Sequence, residues 1–198
     1  MGKLFPPLKT IAIAHPDGRV SHELTQLISK LGYDVVAAVP DVERLIRVVH
    51  SLKPDLVLIH IQPPESYSFE IIELIAGLHT TAMVTLLNEP DTALALRSMD
   101  LGVCGYMVRP FDERIISATL DCSWHHFHAI NALQETLELR RLLEKAKGVL
   151  MEQQHITEEQ AHQTILKMSQ DQGISLKELC HSVVQLKPIL GNERLRKN

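Results

Sequence analysis

Cysteine is sparse in this chain: Cys104, Cys122 and Cys180 stand far apart and are odd in number. That excludes a disulfide framework and points to small hydrophobes in a reducing compartment. Long apolar runs are missing as well. No stretch approaches the ~18 residues that a membrane span needs. The opening MGKLFPPLKT lacks a signal-peptide apolar core, so the expected location is the cytoplasm and no membrane partner is expected. A strong excess of either charge is absent too. Lys and Arg number 20 against 24 Asp and Glu, a net charge of −4. Such a balance exerts no global pull on nucleic acid or anionic lipid, so any nucleic-acid site must be a local patch. What is present is a chain of 198 residues, 45% hydrophobic and 22% charged. That is enough to bury a core without metal or disulfide staples.

Up to about residue 121 the sequence alternates short apolar runs with amphipathic stretches. Thr10 to Ala14, Asp34 to Ala38, Leu56 to Ile61, Ala82 to Leu87 and Gly105 to Val108 read as strands. Several are continuously apolar, as strands covered on both faces are. Between them lie helical patterns, such as Leu24, Leu27, Ile28, Leu31 and Val42, Leu45, Ile46, Val49, punctuated by Gly32 and Pro54. Five βα units predict a flavodoxin-like, five-stranded parallel sheet. One run, LVLIH, ends in an imidazole, His60, at the strand tip where ligands gather in open α/β sheets.

From Asp112 to Gln154 no strand and no strong breaker apart from Gly148 intervenes, which predicts one long helix or two abutting ones. Ile130, Leu133 and Leu137 have the 3-4 spacing of a coiled-coil seam before Arg140 interrupts it, and predict a homodimer. Trp124 and Phe127 are expected to pack this connector. Three nearby histidines, His125, His126 and His128, cannot all share one helix face, which argues against a metal there. Thr157 to Gln160 forms a capping box that opens a helix ending at Gly173. Ser175 to Glu178 forms a second, opening a helix that Pro188 is expected to stop. The tail from Gly191 to Asn198 is expected to be loose.

PDLVLIHI and GVCGYMVRPFDERII give residues 8 to 122 a resemblance to the receiver domain of response regulators. The resemblance implies an aspartate at the end of the third strand that accepts a phosphoryl group. It also implies an acidic pair for Mg²⁺ after the first strand, a Thr or Ser after the fourth, and a Lys before the final proline. Here those places hold His60, His15-Pro16 with Asp17 beside them, Leu87 and Arg109. A carboxylate nucleophile needs a divalent ion to align transfer, so the reading is a degenerate pseudo-receiver. His60 could be a structural or hydrogen-bonding histidine, a phosphohistidine, or with His15 and Asp17 a zinc ligand; the first is preferred, with no cofactor or resident metal. Arg109-Pro110 is expected to be cis, as the family's Lys-Pro is.

AKGVLM, followed by TEEQA and the spaced apolar residues Ile165, Leu166, Leu176, Leu179, Val183 and Val184, gives residues 135 to 187 a resemblance to the ANTAR module of transcription antitermination regulators. It implies a non-enzymatic, all-α three-helix output module. Its partner is a leader RNA with paired hairpins, and a ligand-sensing regulatory protein is expected in place of phosphorylation. Arg140, Arg141, Lys145 and Lys147 cluster within two helical turns as a phosphate-binding patch, with Lys167 and Lys177 as possible extensions. Taken alone, such a run reads as a solvated face paired with Glu138 and Glu144. Ala146, Gly148, Met151 and Ala161 are expected to pack the module. No aromatic residue lies between Arg140 and Gln185, so base stacking falls to His155, His162, His181 or arginine planes. The expected organisation is a receiver-like domain over 1–121, a helical connector over 122–139, the ANTAR module over 140–190 and a tail over 191–198.

Overall fold

The apolar runs become the interior of one parallel sheet. In the computed structural model, which describes residues 7–62 and 65–194 with side chains up to residue 185, five strands alternate with helices. They are β1 (Thr10–Ala14), α1 (Gly18–Lys30), β2 (Asp34–Val39), α2 (Val42–Leu52), β3 (Leu56–His60), α3 (Glu65–Ala76), β4 (Ala82–Leu87), α4 (Thr92–Asp100) and β5 (Gly105–Val108). Three helices follow: α5 (Glu113–Gln154), α6 (Glu158–Gln172) and α7 (Leu176–Arg194). The strand order is β2-β1-β3-β4-β5, with every pair parallel. This is the flavodoxin-like order, and its direction reverses between β1 and β3.

Every residue of β3 and of β4 is buried, which explains their unbroken hydrophobicity. Alternate side chains enter two cores on opposite faces. One gathers Val57, Ile59, Met83 and Leu87 with Leu45, Ile72 and Ala95 from the helices. The other gathers Ile13, Leu58, Val84 and Met107 with Leu24, Ile28, Ile116, Leu120 and Trp124. Asp17, Asp41 and Asp91 cap α1, α2 and α4 by accepting backbone N–H bonds. Asp55, at the start of β3, accepts from the backbone N–H groups of Lys9 and Thr10 at 3.0 and 2.9 Å, and from Thr10 Oγ1 at 3.0 Å.

The chain forms two compact units, Met1–Asn131 and Ala132–Asn198. In the first, α5 lies close on β5. A Cβ at Gly105 would collide with Ser123 Oγ, so glycine is what permits the approach. Lys30 pairs with Glu113, and Tyr33 Oη donates to Asp121 at 2.9 Å. Trp124 and Phe127 pack on the second core of this unit rather than along a separate connector. In the second unit a third core joins Ala146, Val149, Leu150, Ala161, Ile165, Leu179, Cys180 and Val183. Thr157 and Gln160 complete the capping box of α6, which Gly173 ends in the left-handed region. Ser175 and Glu178 exchange the equivalent bonds before α7.

Two expectations need correction. Pro188 does not stop α7, whose backbone stays helical to Arg194. Proline removes one N–H from the ladder and disfavours a helix interior, but its φ is compatible with the helix. Cys122 is exposed, whereas Cys104 and Cys180 are buried as expected. The tail expected to be loose from Gly191 is therefore helical as far as Arg194; residues 195–198, and the side chain of Leu186, lie outside the described residues.

Candidate functional site

β1 and β3 deliver His15 and His60 to the C-terminal end of the sheet, at its switch point. The two rings lie with centroids 4.4 Å apart and planes tilted by 53°. They are only 4% and 7% exposed. His15 Nδ1 accepts the backbone N–H of Asp17 at 3.0 Å, so in the neutral ring the proton sits on Nε2. Burial pushes His15 down to about 4, with His60 and Arg109 adding to the fall against a counter-pull from Asp17. Burial also lowers His60, and the neighbouring Asn88 side chain opposes this by favouring the protonated ring. The Asp17 carboxylate is committed to the α1 N-terminus, where it accepts from Arg19 N–H at 2.8 Å. Leu87 is buried in the first core, and Pro16 and Arg109 are exposed. The Arg109-Pro110 peptide is cis. No group of three or more His, Cys, Asp or Glu side chains among the described residues is placed to hold a metal ion.

A second constellation lies on α5. Arg140, Arg141 and Lys145 are exposed. With Leu137 and Glu144 they line a groove of about 690 Å³. The carboxylates that would neutralise them are engaged elsewhere. Glu144 pairs with Lys147 at 2.8 Å, and Glu138 pairs with Lys177 at 2.7 Å. Among the described residues no ion pair forms on Arg140, Arg141 or Lys145. Lys147 is different: its side chain is 7% exposed and holds both Glu144 and Glu158, the latter at 2.6 Å. These two carboxylates keep its ammonium charged beyond the usual lysine range. Lys167 is exposed on α6.

Comparison with known proteins places both constellations. Residues 11–121 match the response regulator receiver domain. The chain belongs to the response regulators. Residues 131–184 match the ANTAR domain, so the receiver precedes the output domain of an antitermination-type regulator. The transcriptional regulatory protein PdtaR of Mycobacterium tuberculosis H37Rv is 25% identical over 184 residues, covering 89% of this chain and 90% of that protein. The nitrate regulatory protein of Klebsiella oxytoca is 40% identical over 58 residues, 29% of this chain and 15% of that protein. A CheY-like receiver from Methanospirillum hungatei JF-1 is 18% identical with a TM-score of 0.54, covering 62% of this chain and 98% of that one.

Within the ANTAR domain, Ala146 and Ala161 are fully buried. Gly148 and Met151 are not packing residues. Both are exposed, and a Cβ at Gly148 would meet nothing within 4 Å. In the first unit, beyond the receiver match, His125 and His126 are exposed while His128 lies edge-on to Trp124 with centroids 4.2 Å apart. The three histidines do not converge. No described helix is long and apolar enough to cross a membrane.

Proposed function

We propose that this response regulator is a non-enzymatic antiterminator whose ANTAR domain binds paired hairpins in a leader transcript. The observation that carries this reading is the groove on α5. Three exposed cations surround it, and both nearby carboxylates are spent on Lys147 and Lys177. Uncompensated cations attract phosphates by releasing counterions. The arginine planes supply stacking surface in a domain without aromatic residues. Unpaired loop bases are the part of an RNA hairpin that proteins read. Lys147, buried between two glutamates, ties the start of α6 to α5 and takes no part in phosphate binding.

The protein acts as a homodimer in the cytoplasm, one hairpin per ANTAR domain. Ile130, Leu133 and Leu137 leave 41%, 61% and 51% of their surfaces exposed on α5. At 100° per residue they share an arc of about 60° with Gly148 and Met151, a stripe suited to a second copy of the helix. Joining two weak hairpin contacts in one complex raises affinity by avidity. Control is independent of phosphorylation. An imidazole stands at the β3 tip, and the Asp17 carboxylate is committed to a helix cap. A ligand or a sensing protein then supplies the signal to the receiver. In this reading the pseudo-receiver covers 1–121, the connector 122–139 and the output module 140–190.

The test is a titration of the full chain against a two-hairpin leader RNA, a single hairpin and duplex DNA across a range of salt. Tight, salt-sensitive preference for the paired hairpins, lost in Arg141→Ala/Lys145→Ala, supports the reading. Preference for duplex DNA would make the protein a DNA-binding regulator. Indifference to all three would leave a protein-interaction adaptor.

A further inference from the structure

A hairpin loop carries bases as well as phosphates, and the cation groove accounts for the phosphates alone. A second opening lies beside it. Lys147 of α5 and Glu158, Glu159, His162 and Gln163 of α6 line a cleft of about 480 Å³, within the size range of small-ligand sites. An ion chain joins the two openings: Glu144, which lines the groove, pairs at 2.8 Å with Lys147, which lines the cleft and pairs at 2.6 Å with Glu158. An RNA strand whose phosphates lie along Arg140, Arg141 and Lys145 has this recess next to it.

The helix arranges the walls. At about 100° per residue, His162 falls between Glu158 and Glu159 on one face of α6, and Gln163 follows Glu159 by one turn. Ala161 and Ile165 turn into the third core, so this face is held outward. Glu159 and Gln163 are exposed and His162 is half-buried. Among the described residues no ion pair or side-chain hydrogen bond forms on Glu159, His162 or Gln163. The charge pattern is wrong for a phosphate, because Lys147 is already neutralised by Glu144 and Glu158 and the Glu159 carboxylate has no counter-ion. It is right for the donor edge of a base. A carboxylate accepts N–H groups in charge-assisted bonds, and its two oxygens match two donors side by side. Of the four RNA bases only guanine has such a pair on its Watson–Crick edge, N1–H and N2–H. Adenine and cytosine set one amino group beside a bare ring nitrogen, and uracil sets one N–H between two carbonyls.

We propose that this cleft, on the RNA-binding reading above, is a base pocket that reads one unpaired guanine of the hairpin loop. The base stacks on the His162 imidazole, as splayed loop bases do on planar side chains. Its N1–H and N2–H donate to the Glu159 carboxylate, and its O6 accepts from the Gln163 amide. The Lys147–Glu158 pair holds α6 against α5 and so fixes the wall on which these three residues stand.

The experiment is titration of the full chain with two-hairpin leader RNAs that differ at one loop position at a time, each carrying guanine, inosine, adenine or uracil there. At one position guanine is expected to bind about five- to hundredfold more tightly than adenine or uracil. Inosine, which lacks the 2-amino group, should fall between. Glu159→Gln is the deciding variant. Its amide offers one acceptor and one donor, the complement of adenine's N6–H and N1, so the preference at that position should turn from guanine to adenine. The residue is exposed and outside both the capping box and the Lys147 pair, so the variant should keep the parent's melting curve. Asp171→Asn removes the same charge from exposed α6 surface away from the cleft and should leave the preference for guanine intact. His162→Ala should weaken binding of all four bases. Equal binding of the four bases at every loop position would overturn the proposal. So would a uniform gain in affinity for Glu159→Gln with the base preference unchanged, which is what a merely repulsive surface carboxylate gives. Salt-sensitive binding without base preference would remove the pocket and leave the groove standing, whereas binding to no RNA of the panel would remove both.

Discussion

Gly105→Ala tests how α5 is seated on the receiver. The added methyl would collide with Ser123 Oγ, while Thr119 Cγ2 and Ser123 Cβ would lie at an ordinary 3.6 and 3.7 Å. Ser123 is fully buried beside Trp124, so its hydroxyl has no room to swing outward. α5 must then shift from β5 or Ser123 must leave its rotamer. Overpacking of this kind costs about 1–3 kcal/mol. The offending contact is a single atom, which makes the cost reversible. In Gly105→Ala/Ser123→Ala the oxygen is gone and the remaining contacts are of normal length. Urea denaturation followed by fluorescence of the one tryptophan, Trp124, reads the receiver directly. The single variant should unfold earlier, and the double-mutant cycle should show a favourable coupling of about 1–2 kcal/mol. A Gly105→Ala protein as stable as the parent, or a cycle with no coupling, would refute the close-approach argument.

Other perturbations separate the remaining parts of the account. Arg141→Ala and Lys145→Ala should each lower RNA affinity and reduce the slope of log K against log salt by about 0.7–0.9. Lys147→Met should instead lower the melting temperature of the second unit and leave that slope unchanged, because its ammonium is held by Glu144 and Glu158. His15 has a folded-state value near 4 against an ordinary 6.5. The unfolded chain therefore binds more protons in that window, and receiver stability should fall as pH drops from about 6.5 towards 4. His15→Gln should flatten that dependence in denaturation midpoints measured across the range. Leu133→Glu, on the exposed stripe of α5, should turn a dimer into a monomer in sedimentation velocity without moving the Trp124 unfolding transition.

Much of the fold was legible because local chemistry and tertiary structure agree. The run from Leu56 to His60 is apolar because both faces of β3 are covered. Thr157 with Gln160, and Ser175 with Glu178, cap helices by contacts three residues apart that the sequence displays directly. The candidate sites were less legible. Lys147 sits in a run of cations and reads as surface, yet Glu158 approaches it from another helix, a contact set by the third core. Gly148 reads as a packing contact because glycine is costly inside a helix, but among the described residues no atom outside its own stretch of helix would lie within 4 Å of a Cβ there. Asp17 reads as a leftover metal ligand, whereas its carboxylate serves α1. The tautomer of His15 rests on a backbone N–H two residues on, and no pattern of residue types announces that bond.

The central claim is that the α5 groove grips leader RNA and so spares transcription from termination. The most direct measurement is single-round transcription by purified polymerase on a template whose leader carries paired hairpins overlapping a terminator. Adding the protein should raise read-through in proportion to hairpin occupancy, and Arg141→Ala/Lys145→Ala should abolish the rise while leaving the protein folded and dimeric. Read-through that stays at its basal level, or that rises equally with the variant, would contradict the account.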